Sequence, residues 1–275
     1  MSIKPGLPVL SSDHASLTET LRVLQQRRRM LQWMAGAGAA ALLPRAFGCT
    51  LIPQETAGPY PADGTNGPNV LTQSGIVRSD IRASFGGSGT ETATGTRNTI
   101  KMKLLSTTST TCGIIEGLAV YLWHCDAGGG YSLYSSGVTA QNYLRGVQLT
   151  DANGEVTFTS VFPACYSGRW PHIHFEVYAA LADATSGRNA LRTSQIALPE
   201  DVSRNVYAQT ALYPNSTGNL NQVSLDTDMV FSDDGGVHEL GTVSGDNSSG
   251  YTTYLEVGVA VDSTSDMIFE GTFES

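Results

Sequence analysis

Charged residues and cysteines are both scarce in this 275-residue chain. Only 15% of the residues are charged, and the four cysteines show no Cys-x-x-Cys spacing, which excludes a zinc ribbon. Basic residues are fewer than acidic ones, 16 against 25, and the formal charge of −9 argues against a nucleic-acid-binding surface. No helical period persists after residue 49, whereas 30 Gly and 11 Pro indicate a turn-rich globular protein that is not mainly helical.

The apolar run near the N-terminus is too short to cross a bilayer, which takes about 20 helical residues. It covers residues 34–43 (MAGAGAAALL), follows the segment 27–32 (RRRMLQ) and precedes Pro44. Segment 27–32 resembles a twin-arginine motif, so we predict an export signal and leader over residues 1–50. The alternative is an ordinary N-terminal helix with a basic start. An exported mature chain would have no membrane span and would lie in the bacterial periplasm or cell envelope.

Export would permit disulfides among Cys49, Cys112, Cys125 and Cys165, and the sequence leaves all three full pairings open. Lipidation at Cys49 is disfavoured, because the bulky Phe47 stands where a lipidation motif usually has a small residue.

Short apolar runs alternate with turn signals at intervals of about ten residues, a spacing typical of all-β sandwiches. We therefore predict a single-domain, all-β, antiparallel β-sandwich with long connecting loops over residues 51–275. The clearest predicted strands are 118–125, 155–162, 170–178 and 251–261.

Two histidines two residues apart on a predicted strand suggest a metal site. Because side chains alternate along a strand, His172 and His174 share one face, and Ile173, Phe175 and Val177 point to the core. Taken alone, a His-x-His pair is more often a pair of surface or core histidines than a ligand pair.

Several segments resemble the intradiol ring-cleavage dioxygenases, the family of the protocatechuate and catechol 1,2-dioxygenases. They follow the family's order along most of the chain after residue 50, and the segment 53–61 matches less specifically. The resemblance is carried by "VYLWHCDAGGGYS" (120–132), "LTDANGEVTFTSVFPACYSGRWPHIHFEV" (149–177), "TSQIALP" (193–199) and "PQETAGPYP" (53–61).

The resemblance implies that Tyr131, Tyr166, His172 and His174 bind one non-haem Fe(III). Oxygen and nitrogen donors, two of them phenolates, suit a hard trivalent ion. The implied substrates are a catechol-type small molecule and O2, and both oxygen atoms enter a muconate-type diacid as the ring opens between its two hydroxyls. The resemblance also makes Tyr166 the ligand that dissociates when substrate binds.

Two further residues take catalytic roles by the same resemblance. Arg169 would stabilise the ring as it is attacked, and Gln195 would orient the oxygenated intermediate. A surface arginine paired with an acid and a solvent-facing glutamine are the structural alternatives. The segment 55–61 resembles a loop at the substrate mouth, although a turn that enters the first strand explains it equally well.

The chain also departs from the family. Only five residues separate Tyr166 from His172, and Ser167-Gly168 replaces an aromatic found in the protocatechuate enzymes, so the substrate cannot be carried over. No helical dimer linker of the catechol 1,2-dioxygenase type follows residue 50, and a homo-oligomer is left open. Other candidates are set aside: His124 as structural or partly exposed, Tyr134 and Tyr143 for their spacing, and His14 and His238 for their position.

Two functions other than catalysis remain as alternatives. An exported β-sandwich could bind a metal or a catechol chelate without turnover. A sandwich domain could also serve in adhesion or carbohydrate binding.

Overall fold

A computed structural model describes residues 50–108 and 112–261, and these residues contain eight strands. The strands form two four-stranded sheets: the first in the order β4-β1-β8-β7 and the second in the order β3-β2-β5-β6. Their bounds are β1 Arg97–Ser106, β2 Ala119–Trp123, β3 Arg145–Leu149, β4 Glu155–Val161, β5 His172–Tyr178, β6 Arg192–Ala197, β7 Thr242–Asp246 and β8 Gly250–Val259.

The predicted all-β sandwich with long connecting loops is confirmed. Five of the six strand pairs are antiparallel, whereas β1 and β8 pair in parallel, with Ile100 opposite Thr253 and Leu104 opposite Val257. Parallel neighbours require a long connection between them. Here the whole second sheet and the helices lie between β1 and β8 in the sequence.

One hydrophobic cluster takes residues from both sheets. Alternate residues of β1, Ile100, Met102 and Leu104, are buried together with Ile173 and Phe175 of β5. The alternation predicted for β5 is therefore confirmed on its core face. Its opposite face is also buried, because the segments that connect the strands cover it, and this covered face carries both histidines.

Among residues 50–108 and 112–261, helical structure is limited to short segments outside the sheets. The helix α1 spans Glu200–Tyr207 and α2 spans Ser216–Leu220, and three single turns of 3-10 helix cover Gly187–Asn189, Leu225–Thr227 and Phe231–Asp233. Glu200 and Asp201 in the first turn of α1 favour its start there, because carboxylates stabilise the positive end of a helix dipole. No helix of the described residues is long and apolar enough to cross a bilayer.

Residues 1–49, which carry nearly all of the predicted export signal and Cys49, lie outside the described residues. Cys112 is disulfide-bonded, whereas Cys125 and Cys165 are free thiols in the interior. Burial raises the pKa of Cys165 to about 12, so this thiol is protonated and poorly suited to bind a metal.

Candidate metal centre and active site

The strand β5 fixes both histidines on one rigid face. It is paired on both sides, so that His174 lies opposite Trp123 of β2 and opposite Gln195 of β6. The His174 ring stacks on Trp123 with 4.9 Å between ring centroids and 6° between planes. His172 Nδ1 lies 2.5 Å from the carbonyl oxygen of Trp170 and must donate to it, which leaves His172 Nε2 with a free lone pair.

Tyr131 enters the site from a tight turn after β2. The Asp126 carboxylate accepts hydrogen bonds from the backbone N–H of Gly128 and of Gly130, both at 2.9 Å, and so shapes the turn. Gly129 sits at φ +90°, where glycine is favoured. The Tyr131 hydroxyl then lies 3.3 Å from His172 Nε2.

Tyr166 reaches the same point from the loop between β4 and β5. Its hydroxyl lies 3.2 Å from His172 Nε2, and its side chain is half-buried, whereas Tyr131 is only 2% exposed. Ser167 and Gly168, which follow it, are exposed. Only five residues separate Tyr166 from His172, and Tyr166 lies next to solvent.

The other three predicted ligands therefore converge on His172 Nε2. The Nε2 atoms of His172 and His174 are 3.1 Å apart, and both phenol oxygens lie at similar distances from His172 Nε2. Ligands at about 2.0–2.2 Å from one ion and about 90–110° apart are separated by roughly 2.8–3.6 Å, so the spacing fits one metal ion.

The protonation of the four groups agrees with a site built for a cation. Burial lowers the pKa of His172 to about 3 and that of His174 well below its usual range, so both imidazoles are neutral donors. Burial also raises the pKa of Tyr166 to about 12 and that of Tyr131 well above its usual range. Phenolates would form here only beside a strong positive charge such as a metal ion.

The described residues contain no group of three or more His, Cys, Asp or Glu arranged to hold a metal. The convergent set instead combines two imidazoles with two phenols. The donors fit a hard ferric ion better than metals that prefer thiolates.

Arg169 and Gln195 are brought together beside these four residues. Arg169 Nη2 donates to Gln195 Oε1 at 2.6 Å, and Gln195 Nε2 donates to the carbonyl oxygen of Thr56 at 3.0 Å. Both side chains are buried, at 8% and 0% exposure, so Arg169 is not a surface residue and Gln195 does not face solvent, although Arg169 is paired with an acid.

Asp228 is a site residue that the sequence reasoning missed. Its Oδ2 accepts from Arg169 Nε at 2.9 Å, in an ion pair whose carboxylate is fully buried. Burial acts to raise the pKa of Asp228, but hydrogen bonds from Arg169 and Trp170 outweigh it, and the pKa falls below its usual value. Nothing in the sequence separates Asp228 from the exposed Asp226 two residues earlier.

The segment 55–61 lies against the predicted ligands. A Cβ added at Gly58 would lie 3.4 Å from Cε1 of His174. The Tyr60 ring packs on Tyr131 with 5.0 Å between centroids. The first strand begins only at Arg97, so the segment is not a turn into it, and its place at a substrate mouth stays a prediction.

Three of the residues set aside on sequence grounds, His124, Tyr134 and Tyr143, have hydrogen-bond partners outside the convergent four. His124 is buried, and its Nε2 lies 2.7 Å from Ser160 Oγ, so it is structural and not partly exposed. Tyr134 donates to the Asn66 carbonyl oxygen at 2.9 Å, and Tyr143 donates to Asp126 Oδ2 at 2.9 Å.

The comparisons with known proteins agree with this geometry. A family model described as Dioxygenase matches residues 87–198, the segment that contains the four predicted ligands, Arg169 and Gln195. An intradiol ring-cleavage dioxygenase from Tetranychus urticae, a solved structure, is 25% identical. That similarity covers 78% of this chain and 98% of that chain, with a TM-score of 0.59. The chain is thus similar to a dioxygenase family over residues 87–198 and to an intradiol ring-cleavage dioxygenase over most of its length.

A further solved structure is similar to this chain at lower sequence identity. Catechol 1,2-dioxygenase from Acinetobacter sp. ADP1 is 15% identical over 86% of this chain and 68% of that chain, with a TM-score of 0.42. A search of curated proteins found no match.

Proposed function

We propose that the chain is a non-haem Fe(III) intradiol dioxygenase that opens a catecholic ring between its two hydroxyls. In this proposal Tyr131, Tyr166, His172 and His174 hold the iron. The observation that carries it is the convergence of three donor atoms within 3.1–3.3 Å of His172 Nε2. Bound Fe(III) would supply Lewis-acid chemistry to a catechol and O2, giving a muconate-type diacid that contains both oxygen atoms.

The two tyrosines take different parts in this proposal. Tyr131 is enclosed, whereas Tyr166 is half-buried next to the exposed Ser167 and Gly168. Tyr166 can therefore move aside, and its Oη can take the proton that a catechol hydroxyl releases on binding. Tyr131 stays in place because the turn after Asp126 holds its backbone.

Arg169 and Gln195 act on the substrate itself. The Arg169 guanidinium stabilises negative charge that develops on the ring, because a buried cation interacts strongly with charge in a site that excludes water. Gln195 is held between Arg169 and the Thr56 carbonyl, so its amide orients the bound substrate and oxygen.

Purified protein tests the proposal directly. It should contain about one iron per chain, absorb visible light through tyrosinate-to-iron charge transfer, and take up O2 with a catechol. Mass spectrometry of the product from labelled O2 should find both atoms in a diacid cut between the hydroxyls. A product cut beside the diol, or a colourless protein without iron, would overturn the assignment.

Matched tyrosine variants separate the site from the rest of the fold. Tyr131→Phe should lose the absorption band and turnover, whereas Tyr254→Phe on β8 of the other sheet should keep both. Iron and colour without O2 uptake on any of catechol, protocatechuate, hydroxyquinol and alkylcatechols would instead favour the alternative, a protein that binds a metal or chelate without turnover.

We also propose export by the twin-arginine route, which carries folded proteins and suits a metal loaded beforehand. The support is the order of the segment 27–32, the apolar run 34–43 and Pro44. Replacing Arg27 and Arg28 with lysine should leave the enzyme in the cytoplasmic fraction. Unchanged fractionation would contradict the route.

A further inference from the structure

The Arg169 guanidinium is held at two of its three nitrogens. Its Nε donates to Asp228 Oδ2 at 2.9 Å and its Nη2 donates to Gln195 Oε1 at 2.6 Å. Within residues 50–108 and 112–261, Nη1 makes no hydrogen bond. A planar guanidinium fixed at two nitrogens has a fixed direction for the third.

Asp228 is itself fixed by the backbone. Its Oδ2 also accepts from the Trp170 N–H at 2.6 Å, and its Oδ1 accepts from the N–H groups of Val230 and Phe231 at 2.9 and 3.2 Å. Both oxygens are thus occupied, and the carboxylate cannot turn without breaking several hydrogen bonds. Asp228 connects the loop after α2 to the residues that directly precede β5.

Arg169 lies beside the predicted metal ligands. It stands three residues from both Tyr166 and His172 in the sequence, and its backbone N–H donates to the Tyr166 carbonyl oxygen at 3.3 Å. Gln195, the partner of Nη2, lies opposite His174 in the β5–β6 register. The unoccupied Nη1 therefore belongs to the same side of the second sheet as the proposed substrate site.

We propose that Asp228 is a positioning residue for ring cleavage, which holds Arg169 so that Nη1 meets the bound catechol. This inference rests on the proposed function. Without the carboxylate, Arg169 would keep only its bond to Gln195 and could rotate out of reach. Asp228 would then contribute to turnover without touching substrate or metal, as residues around metal sites commonly do.

The experiment compares Asp228→Asn with Asp226→Asn, which removes an equal charge from an exposed position in the same loop. Turnover is measured per bound iron, together with the tyrosinate-to-iron absorption maximum. Asp228→Asn should lower turnover per iron by about 10- to 100-fold with the absorption maximum unchanged, and Asp226→Asn should change neither. Asp228→Glu, which keeps the charge, should fall between wild type and Asp228→Asn.

A double-mutant cycle with Arg169→Gln supplies the second readout. If Asp228 acts through Arg169, Asp228→Asn should lower turnover per iron by less than about twofold once Arg169 is gone. A purely structural Asp228 would reduce iron content or melting temperature and leave turnover per iron as it was, which would overturn the inference. The inference would also be overturned if Asp228→Asn lowered turnover per iron by the same factor with and without Arg169.

Two controls keep these outcomes distinct. If Asp228→Asn does not fold, turnover per iron in Asp228→Glu decides, and a value within twofold of wild type counts against the inference. If wild-type protein binds no iron or takes up no O2 with catechol, the proposed function is wrong, and the inference that rests on it is wrong as well.

Discussion

The tautomer of His172 is set by a contact only two residues away. Because the Trp170 carbonyl accepts from Nδ1, the Nε2 lone pair points to the two phenols and to His174. His174 Nδ1 is buried and has no hydrogen-bond partner in the described part of the chain, and its ring is instead held by stacking on Trp123. The two imidazoles are thus oriented by different means.

Paired histidine variants test which imidazole serves the metal. His172→Gln should weaken iron binding by at least about 100-fold, because it removes the donor nearest the other three. His124→Gln should keep iron and colour but lose about 1–3 kcal/mol of unfolding free energy, because it disturbs the buried bond to Ser160. Iron analysis and urea unfolding measure the two effects. Equal iron loss in both variants would contradict the assignment.

At the residue scale, local patterns could be predicted and distant partners could not. His172 and His174 share a face because strand alternation depends only on neighbouring residues. Asp228 is 59 residues from Arg169, and only the folded chain brings them together. The same holds for Tyr60, which packs on Tyr131 across the site.

The connecting segment around residue 60 is hydrogen-bonded to a buried cation of the second sheet, Arg145. Arg145 at the start of β3 donates to the carbonyl oxygens of Tyr60, Pro61 and Ser132, at 3.0, 2.9 and 3.0 Å. It is 1% exposed and forms no ion pair within the described residues. Its hydrogen bonds connect the segment around residue 60 with Ser132, which directly follows Tyr131.

Replacing Arg145 should therefore destabilise the fold and disturb the site. Arg145→Met removes the donor from the carbonyl oxygens of Tyr60 and Ser132, whereas that of Pro61 keeps the Tyr121 hydroxyl, and each unsatisfied group costs about 1–3 kcal/mol. We expect a loss of at least about 3 kcal/mol in urea unfolding. The control Arg188→Met, in the turn Gly187–Asn189, should change stability by less than about 0.5 kcal/mol. Similar losses in the two variants would contradict this role.

The segment that follows the last 3-10 turn makes stability depend on pH. Glu239 is buried, and its backbone carbonyl oxygen accepts a hydrogen bond from the N–H of Ala197 in β6. Burial, then the charges of Asp234 and Glu55, raise the pKa of its carboxyl to about 8. The folded chain therefore binds a proton that the unfolded chain releases above its ordinary pKa of 4.5.

The contribution of Glu239 to the melting temperature should fall as pH rises from about 4.5 to 8, since its carboxyl holds over that window a proton that the unfolded chain releases. The melting temperature of the wild type minus that of Glu239→Gln should therefore decrease with pH, whereas the difference for Glu200→Gln, on the exposed side of α1, should stay constant. Calorimetry at several pH values measures both differences. A difference for Glu239→Gln that does not change with pH would contradict this role.

Elements with strong alternation could be predicted, and weakly patterned ones could not. The strands β2, β4, β5 and β8 agree with the predicted runs to within about two residues, the usual uncertainty of strand ends. The strand β7 (TVSGD) is mostly exposed and contains glycine and aspartate, so its five residues resemble a turn in sequence. The parallel pairing of β1 with β8 depends on the whole chain and has no local signal.

Over the whole molecule, acidic residues exceed basic ones, and several of them gather near Arg169. Burial, then the charges of Asp233 and Asp234, raises the pKa of Glu55 to about 7, and burial together with the same two carboxyls raises the pKa of Glu239. The formal charge of the chain is −9. A negative potential beside Arg169 would slow the approach of anions and leave neutral molecules unaffected.

The salt dependence of catalysis should therefore differ between substrates. For a catechol that bears a carboxylate, kcat/KM should rise severalfold as ionic strength goes from about 0.01 to 0.15 M, because the Debye length shrinks from about 30 to 8 Å. Unsubstituted catechol should show little change. Replacing Asp233 and Asp234 with asparagine should remove most of the difference, whereas Asp201→Asn on α1 should not. Equal salt dependence for both substrates would mean that the carboxylates near Arg169 do not select among catechols.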